Sequence, residues 1–317
     1  MWDNKIAKIT IPTPFPVGDV YAYVVKGDVL TLIDGGPKTE EAKMAIETGL
    51  KELGLQLNDI EQVIITHHHP DHIGGVDFFS LDLPFLGHVN NQRFLELSPD
   101  FIAFNHEFFS GYLNELGVPH EIRSRVGNIG RLMKYGCERT LTGFIQDGDE
   151  LPGLPGWKAV ETLGHAQSHL AFYRESDGAL IGGDILLDKI SPNPLVEPPL
   201  ARGEERPKSQ LQLNDSLKKL QNLRITAVYP GHGNIIENVD ELISYRLQVQ
   251  HERALKVKAI LAQRPSTAFE LCQTLFPKIY KKQLGLTLSE TIGQIDYLES
   301  LGEIKGEKTE RGMVYKG

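Results

Sequence analysis

The chain has 317 residues, 40% hydrophobic and 24% charged, which supports a sizeable core in one large domain, or one domain with a small appendage, and excludes wholesale disorder. Its net charge of −9 is uneven: residues 251–317 carry 11 Lys and Arg against 8 Asp and Glu, leaving 22 against 34 in the first 250. Phosphate contacts need concentrated cations, so the acidic body argues against nucleic acid as a main partner. No apolar run is long enough to span a bilayer, no basic-then-apolar leader opens the chain, and Cys137 and Cys272 form neither a CxxC pair nor a disulfide framework; the expectation is a cytoplasmic protein with no membrane part and two inert thiols.

In chain order, Tyr21–Val25 and Val29–Ile33 read as two strands of a hairpin around Lys26-Gly27-Asp28. A helix is predicted over Thr39–Leu53, with Glu40 and Glu41 in its first turn and Gly54 just beyond its end. Ile60–Thr66 reads as a strand running into His67. Residues 90–140 have helical periodicity and aromatics at Phe101, Phe104, Phe108, Phe109 and Tyr112, and read as a helical insertion. Strands return at 157–160, 171–173 and 179–181; a proline-rich strap covers 191–207; a helix over 211–223 and a strand over 225–229 follow. From about residue 240 the chain reads as helical to its closing hairpin, with helices at 268–276 and 288–301 and two strands within 302–316. There is no internal repeat.

The chemistry concentrates in Thr66-His67-His68-His69-Pro70-Asp71-His72. Imidazole and carboxylate are the ligands that zinc, iron and manganese accept. Alternate residues at a strand end point the same way, so His67 and His69 can share one ion, while the turn at Pro70 lets Asp71 and His72 face a second. Three more candidates each follow a strand beside glycine: His165 after Gly164, Asp184 after Gly182-Gly183, and His232 between Gly231 and Gly233. No GxSxG nucleophile elbow is present.

The pattern His67-x-His69-x-Asp71-His72, then His165, Asp184 and His232, resembles the metallo-β-lactamase superfamily. The resemblance implies an α/β fold, an αββα sandwich with metals at one edge between two sheets. It implies two divalent ions, zinc first and iron or manganese as alternatives: His67, His69 and His165 on one, Asp71, His72 and His232 on the other, Asp184 bridging both. Asp34, in Ile33-Asp34-Gly35-Gly36, matches the family's early acidic turn and is expected to orient a ligand; His169, in Gly164-His165-Ala166-Gln167-Ser168-His169, is expected to lie just behind the ligands. Asp71 is the expected catalytic proton acceptor.

The expected organisation is a catalytic domain over 1–240 containing the insertion, and a winged-helix-like unit over 241–317. The segment around His165 resembles the glyoxalase II type, whereas Tyr229-Pro230-Gly231-His232-Gly233 and the tail resemble the lactamase-B-like endoribonucleases. The insertion stretches the interval from His72 to His165 to 93 residues, a departure from the compact glyoxalase II core. The second tail helix carries Glu290, Asp296 and Glu299 but no Lys or Arg, unlike a DNA-recognition helix, so the tail is expected to pack or to form a homodimer. The leading expectation is hydrolysis of a small ester, thioester or lactone; a two-metal endoribonuclease and a one-metal iron oxygenase of the same superfamily are the alternatives. The insertion and the strap are expected to build the substrate pocket, with Phe108 and Phe109 as an apolar wall and Arg202 and Arg206 as anion-holding cations.

Overall fold

A computed structural model describes residues 1–317. One sheet contains, in spatial order, β1 (Trp2–Asp3), β2 (Ile6–Ile11), β3 (Val20–Lys26), β4 (Leu30–Ile33), β5 (Gln62–Ile64), β6 (Phe85–Gly87) and β7 (Gly143–Phe144). Its first four strands are antiparallel neighbours and the last three continue parallel from β4. The second sheet contains β8 (Trp157–Glu161), β9 (Leu170–Arg174), β10 (Ala179–Gly183) and β11 (Ala227–Pro230), with β11 parallel to β10 at one edge. The helices are α1 (Glu40–Glu52), α2 (Pro70–Ile73), α3 (Gln92–Glu96), α4 (Pro99–Glu115), α5 (His120–Arg123), α6 (Ile129–Met133), α7 (Ser209–Gln221), α8 (Val239–Gln263), α9 (Ala268–Leu275) and α10 (Leu284–Ser300); β12 (Ser266–Thr267), β13 (Lys305–Thr309) and β14 (Gly312–Lys316) form a third, small sheet.

The layering follows from the two-residue period of a strand. Leu32 and Val63 point to the outer face of the first sheet, against Ala42, Ile46 and Leu50 of α1. Ile33 and Ile64 point inward, where they meet Trp157, Leu170 and Phe172 of the second sheet. The outer face of that second sheet, with Tyr173, Leu180 and Val228, is covered by Leu213 and Leu217 of α7 and Ile243 of α8. The result is helix, sheet, sheet, helix, as the resemblance implied. Helix α1 starts where its cap chemistry directs, with the Thr39 hydroxyl accepting from Ala42 N at 3.1 Å.

The tail follows the expected order of helix, helix and hairpin. A 25-residue helix, α8, begins at the boundary expected near 240; its first turns pack Val239 and Ile243 against the second sheet, and its later ones place Ala254, Val257 and Leu261 in a separate core. The hydrophobic core of the C-terminal unit takes in Leu113, Leu116 and Val118 from the insertion beside Val257, Leu261, Leu271 and Ile292. Helix α10 has 12 of its 17 residues buried, including Ser289, Glu290, Gln294 and Asp296, so it presents no open face. The strands β1, β2, β6, β7 and β12 had no separate counterpart in the sequence reading; all are short or lie next to stronger signals.

Candidate metal centre

Strand β5 is buried on both faces and delivers Thr66 and His67 at its exit. Asp34 meets it from the end of β4. Its carboxylate accepts from Thr66 N at 2.7 Å, from the Thr66 hydroxyl at 2.8 Å and from His72 Nδ1 at 2.8 Å. Asp34 holds a left-handed backbone (φ 61°), a conformation Asp tolerates better than most residues. Pro70 then opens the one-turn helix α2, which turns Asp71 and His72 back toward the sheet edge. His165 follows β8, while Asp184 and His232 sit just beyond β10 and β11.

These segments bring seven predicted donors together in three groups: His67, His69 and His165; His67, His72 and Asp184; Asp71, His72 and His232. His69 Nδ1 lies 2.8 Å from His67 Nε2 and 3.0 Å from His165 Nε2. Asp184 sits between the halves: Oδ1 is 3.5 Å from His72 Nε2, and Oδ2 is 3.5 Å from His165 Nε2 and 3.6 Å from His232 Nε2. Asp71 Oδ2 is 3.4 Å from His232 Nε2. A Cβ at residue 231 would lie 2.3 Å from Asp184 Oδ1, so only glycine permits this approach.

The outer ring nitrogens decide which atoms face inward. His165 Nδ1 meets the Asn193 carbonyl at 3.0 Å and His232 Nδ1 meets the Asp19 carbonyl at 2.6 Å. A carbonyl only accepts, so each Nδ1 carries the proton. His72 Nδ1 donates to the Asp34 carboxylate by the same logic. Thr66 Oγ1 gives its proton to Asp34 and therefore accepts from His67 Nδ1 at 3.0 Å. Four imidazoles are thus fixed with Nε2 lone pairs pointing at one another and at the Asp184 carboxylate. Lone pairs converging on a carboxylate repel unless a cation lies among them, and His72 Nε2, His232 Nε2 and Asp184 Oδ1 are buried without a hydrogen-bond partner. The donor set fits divalent metal ions on both counts, and outer partners on each imidazole are what such sites use to orient ligands.

The electrostatics divide the cluster by its neighbours. Burial alone would raise the Asp184 carboxyl, but His232, His72 and His165 around it hold it well below the usual range. Burial opposes charge on His72 and His232, yet Asp184, with Asp34 and Asp71, pushes His72 well above its ordinary value and raises His232, so without a cation these two rings favour the positive charge that a metal ion would supply in its place. His67 and His69 go the other way, held well below theirs by burial and by their histidine neighbours, as neutral ligands must be.

His169 lies behind the ligands. Its Nδ1 faces the Thr162 hydroxyl at 2.7 Å, its Nε2 accepts from Asp184 N at 3.1 Å, and burial pushes its pKa down to about 3. It therefore stays neutral and holds the Asp184 backbone. His68 points away from the donors, with Nδ1 2.8 Å from Ser168 Oγ and its ring stacked on Phe94. The partners that sequence reasoning missed are Thr66, Thr162 and the carbonyls of Asp19 and Asn193. Only Thr66, adjacent to His67, had a sequence signal; a backbone carbonyl has none.

The strap cations correct an expectation. Arg202 pairs with Glu107 and, at 3.4 Å, with Asp100, and lies over the Phe104 ring. Arg206 forms a two-pronged pair with Asp296 at 2.6 and 2.8 Å. The Arg206 guanidinium is therefore committed to a buried pair, whereas Arg202 is half exposed and shared between two surface carboxylates. Phe108 stacks on Tyr112, and Phe109 and Tyr112 pack against the C-terminal core.

Comparison with known proteins agrees with this geometry. Residues 15–232 match the family described as Metallo-beta-lactamase superfamily. The chain is 43% identical over 300 residues to the probable metallo-hydrolase YqjP of Bacillus subtilis, covering 95% of this chain and 94% of that protein. It is 26% identical over 236 residues to the thioesterase pkgB of Emericella nidulans, covering 74% of this chain and 52% of that protein. The crystal structure of the metallo-beta-lactamase family protein TTHA1429 from Thermus thermophilus superposes with a TM-score of 0.80 at 28% identity, covering 98% of each chain. With the four-layer fold, the inward-turned donors at its sheet edge and these likenesses in agreement, the chain belongs to the metallo-β-lactamase superfamily and is a metal-dependent hydrolase.

Proposed function

We propose that the protein hydrolyses a small ester or thioester, with water as the nucleophile and two divalent ions, zinc first, held by the seven donors. The observation that carries this reading is the convergence of four oriented Nε2 lone pairs on a shared carboxylate. His67, His69 and His165 would hold one ion, Asp71, His72 and His232 the other, and Asp184 both. Bound divalent ions supply Lewis acidity, making water acidic enough to ionise near neutral pH and polarising the substrate carbonyl.

The chain's own residues do the rest. The cluster has no nucleophilic side chain: Cys137 and Cys272 are buried in separate cores and Ser168 is engaged by His68. Asp71, the least buried carboxylate of the set, is placed to accept the proton that water loses. His67, His72, His165 and His232 have their Nδ1 protons engaged elsewhere, so they orient rather than shuttle. The thioester preference draws on the thioesterase among the relatives. The buried, cation-poor α10 supports packing, not RNA binding, as the work of the tail.

The test is elemental analysis of the purified protein after zinc or manganese loading, then assay on thioesters, lactones and structured RNAs. The expected result is about two metals per chain and metal-dependent hydrolysis of thioesters or esters. One tightly held iron with an empty second site, or cleavage confined to RNA, would sink the proposal.

A further inference from the structure

Three of the four oriented imidazoles take their outer partner from the first sheet or its connections: His67 from Thr66, His72 from Asp34, His232 from the Asp19 carbonyl in the β2–β3 loop. His165 takes its partner from the proline-rich strap, through the Asn193 carbonyl. The strap has no strand or helix of its own over 191–207, so its position depends on what grips it.

It is gripped from both sides. On the side of the donors, buried Glu197 accepts from Gln167 N at 2.9 Å, two residues from His165. Arg93 pairs with the same carboxylate at 3.1 Å and donates to the Pro199 carbonyl at 2.9 Å. On the opposite side, α10 takes hold: Asn193 Nδ2 donates to the Leu286 carbonyl at 3.0 Å, and Val196 N donates to Ser289 Oγ at 3.1 Å. Val196 packs against the C-terminal core. Gly293 lets α10 come close, because a Cβ there would sit 2.9 Å from Gln210 and 3.2 Å from Pro194.

We infer that the C-terminal unit braces the metal centre: α10 fixes strap residues 193–197, and Asn193 and Glu197 are positioning residues that aim His165 at its ion. The ion on His67, His69 and His165 therefore depends on this brace, while the ion on Asp71, His72 and His232, positioned from the first sheet, does not. The inference rests on the metal-binding part of the proposed function and is independent of the substrate.

The test is a chelator-competition titration of metal-free protein with zinc, repeated with cobalt to follow the visible spectrum, beside a thermal melt. His165→Ala identifies which binding step belongs to the braced ion. Glu197→Ala, Asn193→Ala and the milder Ser289→Ala each keep the Asn193 carbonyl but loosen the strap that carries it. They are expected to weaken that step by less than the roughly 10–100-fold that outright loss of a ligand-orienting partner costs, with a drop of a few-fold or more for the first two. They should alter its cobalt spectrum and leave the other step where it was. Glu197→Gln, which keeps an acceptor for Gln167 N, should restore most of the affinity. Equal weakening of both steps in parallel with a lower melting temperature would show ordinary destabilisation and overturn the brace, as would wild-type affinity at both steps. A wild-type chain that binds no metal would instead remove the proposed function itself.

Discussion

The metal centre and helix α10 are both buried and both polar, yet they treat their polar atoms in opposite ways. On α10, Glu290 pairs with Arg253, Asp296 with Arg206, Ser289 with Val196 N, and Thr291 with the Thr287 carbonyl; Gln294 Oε1 alone lacks a partner. At the centre, His72, Asp184 and His232 each keep an unpartnered atom directed at the others. Leaving a buried polar atom unpaired costs about 1–3 kcal/mol, more for a charged one, so such atoms do not accumulate by accident. Satisfied polar burial holds α10 in place; at the centre, three unpartnered atoms turned toward one another mark where a cation would sit.

Two substitutions attack that contrast where the effect is largest. Asp184→Ala removes the carboxylate shared by both halves of the donor set, and hydrolysis is expected to fall to background with metal content well below two per chain. Asp34→Ala leaves every donor in place and loosens only His72 and Thr66, so a loss of about 10–100-fold is expected. Rate and metal content measured side by side check both; equal losses in folded variants would mean Asp34 is itself a ligand.

On the satisfied side, Asp296→Ala strands Arg206 among Tyr112 and Tyr315. Breaking a buried pair costs about 3–5 kcal/mol, whereas replacing both partners by apolar residues of similar size is often neutral. Denaturant unfolding should therefore show a large loss for the single variant and recovery in Asp296→Leu combined with Arg206→Met. A single variant as stable as wild type would show that the pair is not holding the tail.

The smallest effect concerns a buried group that is neither paired with a charge nor part of the centre. Burial pushes the Cys137 thiol up to about 11. Thiolate is the reactive form, so alkylation at pH 8 should be negligible in the native protein and rapid after unfolding in urea. Fast native labelling would show that the first core opens locally.

Much of this was legible in the sequence because it is local. His67 to His72 is one uninterrupted turn after an apolar strand, and His165, Asp184 and His232 each sit beside the glycines that permit close approach. The hairpin, α1, the strap and the tail helices likewise declare themselves by period and punctuation. What stayed hidden depends on distant residues. Asp19 and Asn193 act through backbone carbonyls, which no side-chain pattern reports. Arg202 and Arg206 read as free cations because Glu107 and Asp296 lie about 90 residues or more away along the chain. Glu290 and Asp296 show in the sequence only as carboxylates on a helix without Lys or Arg, because their cationic partners come from α8 and the strap.

The sharing of Leu113, Leu116 and Val118 between the insertion and the C-terminal core has a consequence for how this architecture can be recombined. A gene cut at residue 240 would leave those three side chains bare on the catalytic piece and deprive the severed tail of part of its interior. Neither fragment is expected to be a portable module. An exchange of tails between relatives would have to carry the matching insertion with it, so the two segments are expected to travel together as one inherited unit although more than a hundred residues of chain separate them.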